Sequence, residues 1–128
     1  MFALVILTAI IGLCAFMVRY NSVKKGEVKI KFYRTMQGSE VSERIIQTTR
    51  CFNNMFEVPV LFYIVSTLYV ALGVENTVAL ILAWLFVILR YIHAYIFMTY
   101  NNVIHRMLVF WGSFLSLFIL WIVLIVRM

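Results

Sequence analysis

The sequence predicts an all-α fold, an integral membrane bundle of four spanning helices in a single domain over 1–128, and three observations predict it. Hydrophobic residues make up 65% and charged residues 12% of the 128, with a mean hydropathy of +1.01, so polar side chains are too few to cover a soluble domain. The apolar residues gather into four stretches, each close to the roughly 20 residues that cross a hydrocarbon core as a helix. Most charges collect between these stretches.

The first stretch, Phe2 to Val18, carries no charge. It lacks the basic leading region of a cleaved signal, and Arg19-Tyr20 follows it in place of a small-residue cleavage site, so a retained helix is expected. The one sizeable polar segment, Arg19 to Glu43, holds Arg19, Lys24, Lys25, Lys29, Lys31 and Arg34 against Glu27, Glu40 and Glu43. Within it Val28, Ile30 and Phe32 alternate with Lys29 and Lys31, a pattern open to a solvated loop, a short strand or an interfacial patch. The second stretch, Val58 to Val74, is extended backward by an amphipathic segment, giving a span over 43–74. Its proline, Pro59, is the only one in the chain and sits where the extension enters the membrane, so a kink is expected there. The third span, 77–100, follows the short turn Gly73 to Asn76 and is interrupted by Arg90. The fourth, 105–127, follows Asn101, Asn102, His105 and Arg106.

Basic residues concentrate in the first and third connections, which the positive-inside rule places in the cytosol, with both termini on the other side. Arg127 is the single contrary charge. The net charge of +6 lies largely on that cytosolic face and suits anionic lipid headgroups. No nucleic-acid-binding motif accompanies it, so nucleic acid is not expected as a partner. Short tails without a retention signal point to a bacterial inner membrane. Cys14 and Cys51 suggest neither a structural disulfide nor a nucleophile, and His93 and His105 have no carboxylate at helical spacing to make a metal site.

The best lead to function is a polar stripe. On a helix Gln47, Arg50, Asn54 and Glu57 fall within an arc of about 80°, directly before uninterrupted hydrocarbon. A charge carried to the centre of a bilayer costs roughly 2.5 to 3.5 kcal/mol on insertion scales and persists where it meets a partner or a water-filled cavity. Glu57 is therefore expected to pair, with Asn54 and with Arg90 or Tyr91. Arg90 lies about 14 residues into the third span, roughly 21 Å along it, in the same cytosolic half as Glu57. Tyr91 and Tyr95 share a face one turn apart, with Ala94 and Met98 extending it and Arg90 and His93 on the neighbouring flank. Tyr91, Tyr95 and Arg90 read either as an aromatic belt with Arg90 as a snorkelling anchor or as the wall of a cavity shared with Glu57.

Arg50, Asn54 and Glu57 with a proline just beyond, then Arg90-Tyr91 and Tyr95 in the third of four short helices, resemble the membrane-associated proteins in eicosanoid and glutathione metabolism. The resemblance covers Lys24 to about Gly112. It implies a homotrimer with glutathione at each subunit interface. On that pattern Arg50 would bind a glutathione carboxylate, Asn54 and Glu57 its backbone and amino group, and Tyr91 and Tyr95 would supply hydroxyls from the neighbouring subunit. Lys24 would meet a carboxylate, Arg90 would join the binding set, and Arg106 would stabilise the thiolate, since a cation beside sulfur favours the charged nucleophile over the thiol. The chain departs from the pattern at Val58, where a tyrosine is common, at Met107, where a serine is frequent, and in the spacings from Glu57 to Pro59 and from Tyr95 to Arg106.

The resulting expectation is a glutathione-dependent transferase or peroxidase acting on a lipophilic electrophile. The alternative is a non-catalytic relative in which the same residues bind a lipid or a partner protein. A small proton-coupled transporter is disfavoured because its essential carboxylate would belong in the first span, which has none.

Overall fold

A computed structural model describes residues 1–26, 28, 32–35 and 42–127. Helix α1 is Phe2–Lys24, α2 the single turn Phe32–Thr35, α3 Glu43–Asn54, α4 Val58–Ala71, α5 Thr77–Met98 and α6 Val103–Arg127. Among the described residues four paths are long and apolar enough to cross a membrane, with α3 and α4 together forming the second. Lys29, Ile30 and Lys31, on which the alternating pattern turns, lie outside the described residues, and Phe32 begins a helical turn.

Two boundaries differ from the sequence expectation. The first helix runs on to Lys24, so Arg19 is helical, where its guanidinium donates to Thr49 of α3 at 2.9 Å. The second path is not one kinked helix but two, joined through Met55, Phe56 and Glu57. Pro59 is the second residue of α4. A proline has no N–H to donate, and its ring opposes the carbonyl four residues back, here that of Met55. It is accepted in a first turn and not in a helix interior. The break therefore falls in front of it, and Glu57 becomes the cap residue of α4 with a non-helical backbone (φ −98°, ψ −95°).

The helices alternate in direction. α5 and α6 form the closest pair, with α4 against α6 and α3 between α1 and α5. The shared core includes Leu4, Phe62, Val65, Phe86, Leu117 and Leu120, in which the rings of Phe62 and Phe86 stack 4.6 Å apart at 12°. Burial of one such side chain contributes about 1.5 to 3 kcal/mol relative to water. Against lipid that transfer gain is absent, and tight packing and satisfied polar groups hold the helices together instead. Three buried hydroxyls comply: Ser113 donates to the Phe110 carbonyl at 2.7 Å, Ser116 to that of Ser113 at 2.8 Å, and Thr48 to that of Arg44 at 2.8 Å, whereas that of Ser22 has no partner among the described residues.

The register of α1 matters for the site. Tyr91 donates to the Ala3 carbonyl at 2.6 Å, so α1 begins beside the middle of α5 rather than opposite its start. The second half of α1 then packs on α3, where a Cβ added at Gly12 would come within 3.0 Å of the Phe52 ring. At the far end Gly73, with φ +63°, closes α4, and Asn76 caps α5 by accepting from Val78 and Ala79 N–H groups at 2.8 and 3.2 Å.

Candidate functional site

The polar residues meet at the end of the bundle where α3 starts, α5 ends and α6 begins. A cleft of about 460 Å³ opens there, within the range of small-molecule sites. The face of α3 and the joint behind it contribute Arg50, Asn53, Asn54 and Glu57. Across the cleft stand His93 and Phe97 of α5, with Val103, Arg106 and Phe110 of α6. A smaller hollow of about 240 Å³ adjoins it, sharing Arg50, Phe97 and Arg106 and adding Glu43, Gln47 and Asn101.

Local structure accounts for each position. Arg50 and Asn54 lie one turn apart on the side of α3 opposite its buried Ile45, Thr48 and Cys51. Gln47, a turn earlier on that side, donates to the Phe97 carbonyl, one of the last carbonyls of α5, which has no partner within its own helix. That bond pins the start of α3 to the end of α5 and holds the cleft walls together. Glu57 reaches the cleft by the helix break rather than by helical periodicity, because its backbone has left the α conformation.

Arg106 lies in the first turn of α6. Its guanidinium carbon sits 4.2 Å from the centre of the Phe97 ring, a cation–π contact, and Nη1 donates to Asn101 Oδ1 at 2.8 Å. Half-buried in the cleft wall, this guanidinium is both restrained and available to an anion in the cleft.

The structure thus brings together Arg50, Asn54, Glu57 and Arg106. It does not place Lys24, Arg90, Tyr91 or Tyr95 among the cleft residues. Lys24 is exposed at the end of α1. The Tyr91 hydroxyl is bound to the Ala3 carbonyl of α1, and Tyr95 faces outward with 65% of its surface accessible, so the Tyr95 hydroxyl could enter a cleft only from a second copy.

Arg90 departs furthest from expectation. It does not snorkel: it is fully buried, and Nε, Nη1 and Nη2 have no hydrogen-bond partner among the described residues. Its guanidinium lies between the Phe86 and Phe110 rings, at 5.4 and 5.2 Å from their centres. The expected bond between Arg90 and Glu57 is therefore not formed, and Glu57 stays exposed at the cleft. The physical reason is the rotation of α5: Phe86, Arg90, His93, Ala94 and Phe97 make its buried face, while Tyr91 turns toward the start of α1 and Tyr95 to the surface.

Two residues of the cleft and one of the adjoining hollow lie outside the site that the sequence predicts. His93, nine-tenths buried beside Phe97 and Phe110, is signalled only by its place three residues after Arg90 and four before Phe97. Asn53 and Asn101 carry no periodic signal.

Such a fold and site define a multi-pass α-helical membrane protein with a cationic cleft at one end of the bundle. The sequence matches the model of the MAPEG family over residues 1–126, and the chain belongs to that family. Searches of curated proteins and of solved structures returned no match.

Proposed function

We propose that this protein is a glutathione-dependent transferase or peroxidase acting on a lipophilic electrophile at the membrane surface. The observation that carries the reading is the convergence of Arg106 with Arg50, Asn54 and Glu57 on one cleft. Glutathione would supply the nucleophilic sulfur. Its carboxylates suit the planar fork of Arg50, its ammonium the free carboxylate of Glu57, and its amides the side chains of Asn53 and Asn54. Arg106 favours the thiolate by placing a cation where negative charge develops. Val103, Met107 and Phe110 give the same cleft an apolar side toward the bilayer, from which a lipid-soluble electrophile would arrive.

The working unit in this reading is a homotrimer, because Lys24 and Tyr95 lie outside the cleft of their own chain and would serve one only in a neighbouring copy. The cleft faces the cytosol. Lys24, Lys25, Arg44, Arg50 and Arg106 all lie at its end of the bundle, against Arg127 at the other.

The test is thermal stability in detergent with and without glutathione. A ligand at 100 times its dissociation constant stabilises by about 2.7 kcal/mol, and this shift is expected for the wild type and is to be strongly reduced in Arg50→Ala. A melting temperature indifferent to glutathione would favour the non-catalytic alternative.

A further inference from the structure

Arg106 is held by a loop whose two asparagines do different work. Asn102 spends its carboxamide on α6, Oδ1 accepting from the Ile104 and His105 N–H groups at 2.9 and 3.2 Å. Asn101 spends its backbone on α5, its N–H reaching the Ile96 carbonyl at 2.8 Å. It does so with φ +45°, in the left-handed region that asparagine enters more readily than other side chains. Its carboxamide remains free for Arg106, whose Nη1 donates to Asn101 Oδ1 at 2.8 Å.

We propose that Asn101 is the positioning residue for Arg106, locking the guanidinium against the Phe97 ring so that its charge is aimed at the cleft before any thiol arrives. This rests on the reading of the cleft as a glutathione site. An arginine has five N–H donors, so one bond to Asn101 leaves the others for an anion. The neutrality of the carboxamide is the point. A carboxylate there would restrain the guanidinium equally well but would offset the field that favours a thiolate. A side chain without an acceptor would leave Arg106 free to rotate away from the sulfur, so that stabilisation would first require reordering. Asn101 touches no reacting atom in this scheme.

Two variants act on Arg106, one by freeing its position and the other by offsetting its charge. Asn101→Gly keeps the positive φ at no steric cost and removes the acceptor; Asn101→Asp keeps the acceptor and adds a charge. The readout is the ultraviolet absorbance of the thiolate in the full-length protein with bound glutathione, titrated with pH, beside the glutathione dissociation constant from calorimetry. Both variants are expected to raise the midpoint of thiolate formation by about one unit, a tenfold loss of thiolate below the midpoint, with the dissociation constant changed less than about threefold. A fold defect alone would move affinity and melting temperature, not the midpoint at constant affinity. Wild-type midpoints in Asn101→Gly overturn the inference and leave the glutathione reading standing. If Asn101→Gly does not fold, Asn101→Ala, which also lacks the acceptor, decides in the same way. Absence of glutathione binding by the wild type overturns that reading and this inference with it.

Discussion

Arg90 in the middle of the bundle and Arg106 at the end where the cleft opens both lie against phenylalanine rings, yet they are in opposite states. Arg106 has a hydrogen bond to Asn101 and an opening in front of it. Arg90 has two rings and no polar partner among the described residues. A cation–π contact contributes about 0.5 to 2 kcal/mol, whereas desolvating a charge costs several. The rings alone therefore do not offset the burial of Arg90. The difference teaches that in a membrane protein the charge ready for chemistry is the restrained and accessible one, while a deeper charge of the same type is a strained element of the core.

The sharpest way to break this comparison is to remove the accessible guanidinium. Arg106→Ala is expected to lower turnover about 10²-fold, the scale of losing one donor to a developing anion, while glutathione affinity measured by calorimetry stays near wild type. Full conjugating activity in that variant would show that Arg106 only anchors α6. Next in size is the buried charge. Arg90→Met should raise stability in detergent by about 1 to 4 kcal/mol, as replacement of buried ionic groups by apolar ones often does. A lowered melting temperature would instead reveal an anionic partner for Arg90 in the assembled protein.

Smaller effects lie at the cleft walls. Gln47→Ala removes the tie from α3 to the Phe97 carbonyl and should cost about 1 kcal/mol, seen as faster hydrogen exchange at the end of α5. Unchanged exchange there would mean that α1 packing alone holds α3. Smallest is the structural effect of Glu57→Ala. Glu57 is exposed and its side chain makes no capping bond, so thermal stability without ligand should stay within about 0.5 kcal/mol of wild type. A large loss would place the carboxylate in an ion pair.

Much of this was legible in the residues. The four paths follow from runs of apolar side chains near twenty residues long, which hold for any arrangement of the helices in a bilayer. The grouping of Arg50 and Asn54 follows from local helical geometry, whereas Arg106 was singled out only by the family resemblance. The second span was harder. Pro59 marks a disturbance, but whether a proline bends a helix or divides it depends on what takes up the freed carbonyls.

What the sequence determined by itself is local: the four apolar paths, the polar stripe on α3 and the basic end of the bundle. What only the tertiary structure decided is which way α5 faces. Within α5 the residues Tyr91 and Tyr95 look at least as suited to a site as Arg90 and His93, because in lipid both the outer and the inner face of a helix are apolar and the hydrophobic pattern does not tell them apart. Packing against α4 and α6 settled the rotation. It buried Arg90 between Phe86 and Phe110, brought His93 and Phe97 to the cleft and turned the tyrosines to the surface. The contact of Arg106 with Asn101 and Phe97 likewise depends on how one helix is turned into the next, an angle fixed by the packing of α5 on α6 and by the left-handed backbone of a single asparagine.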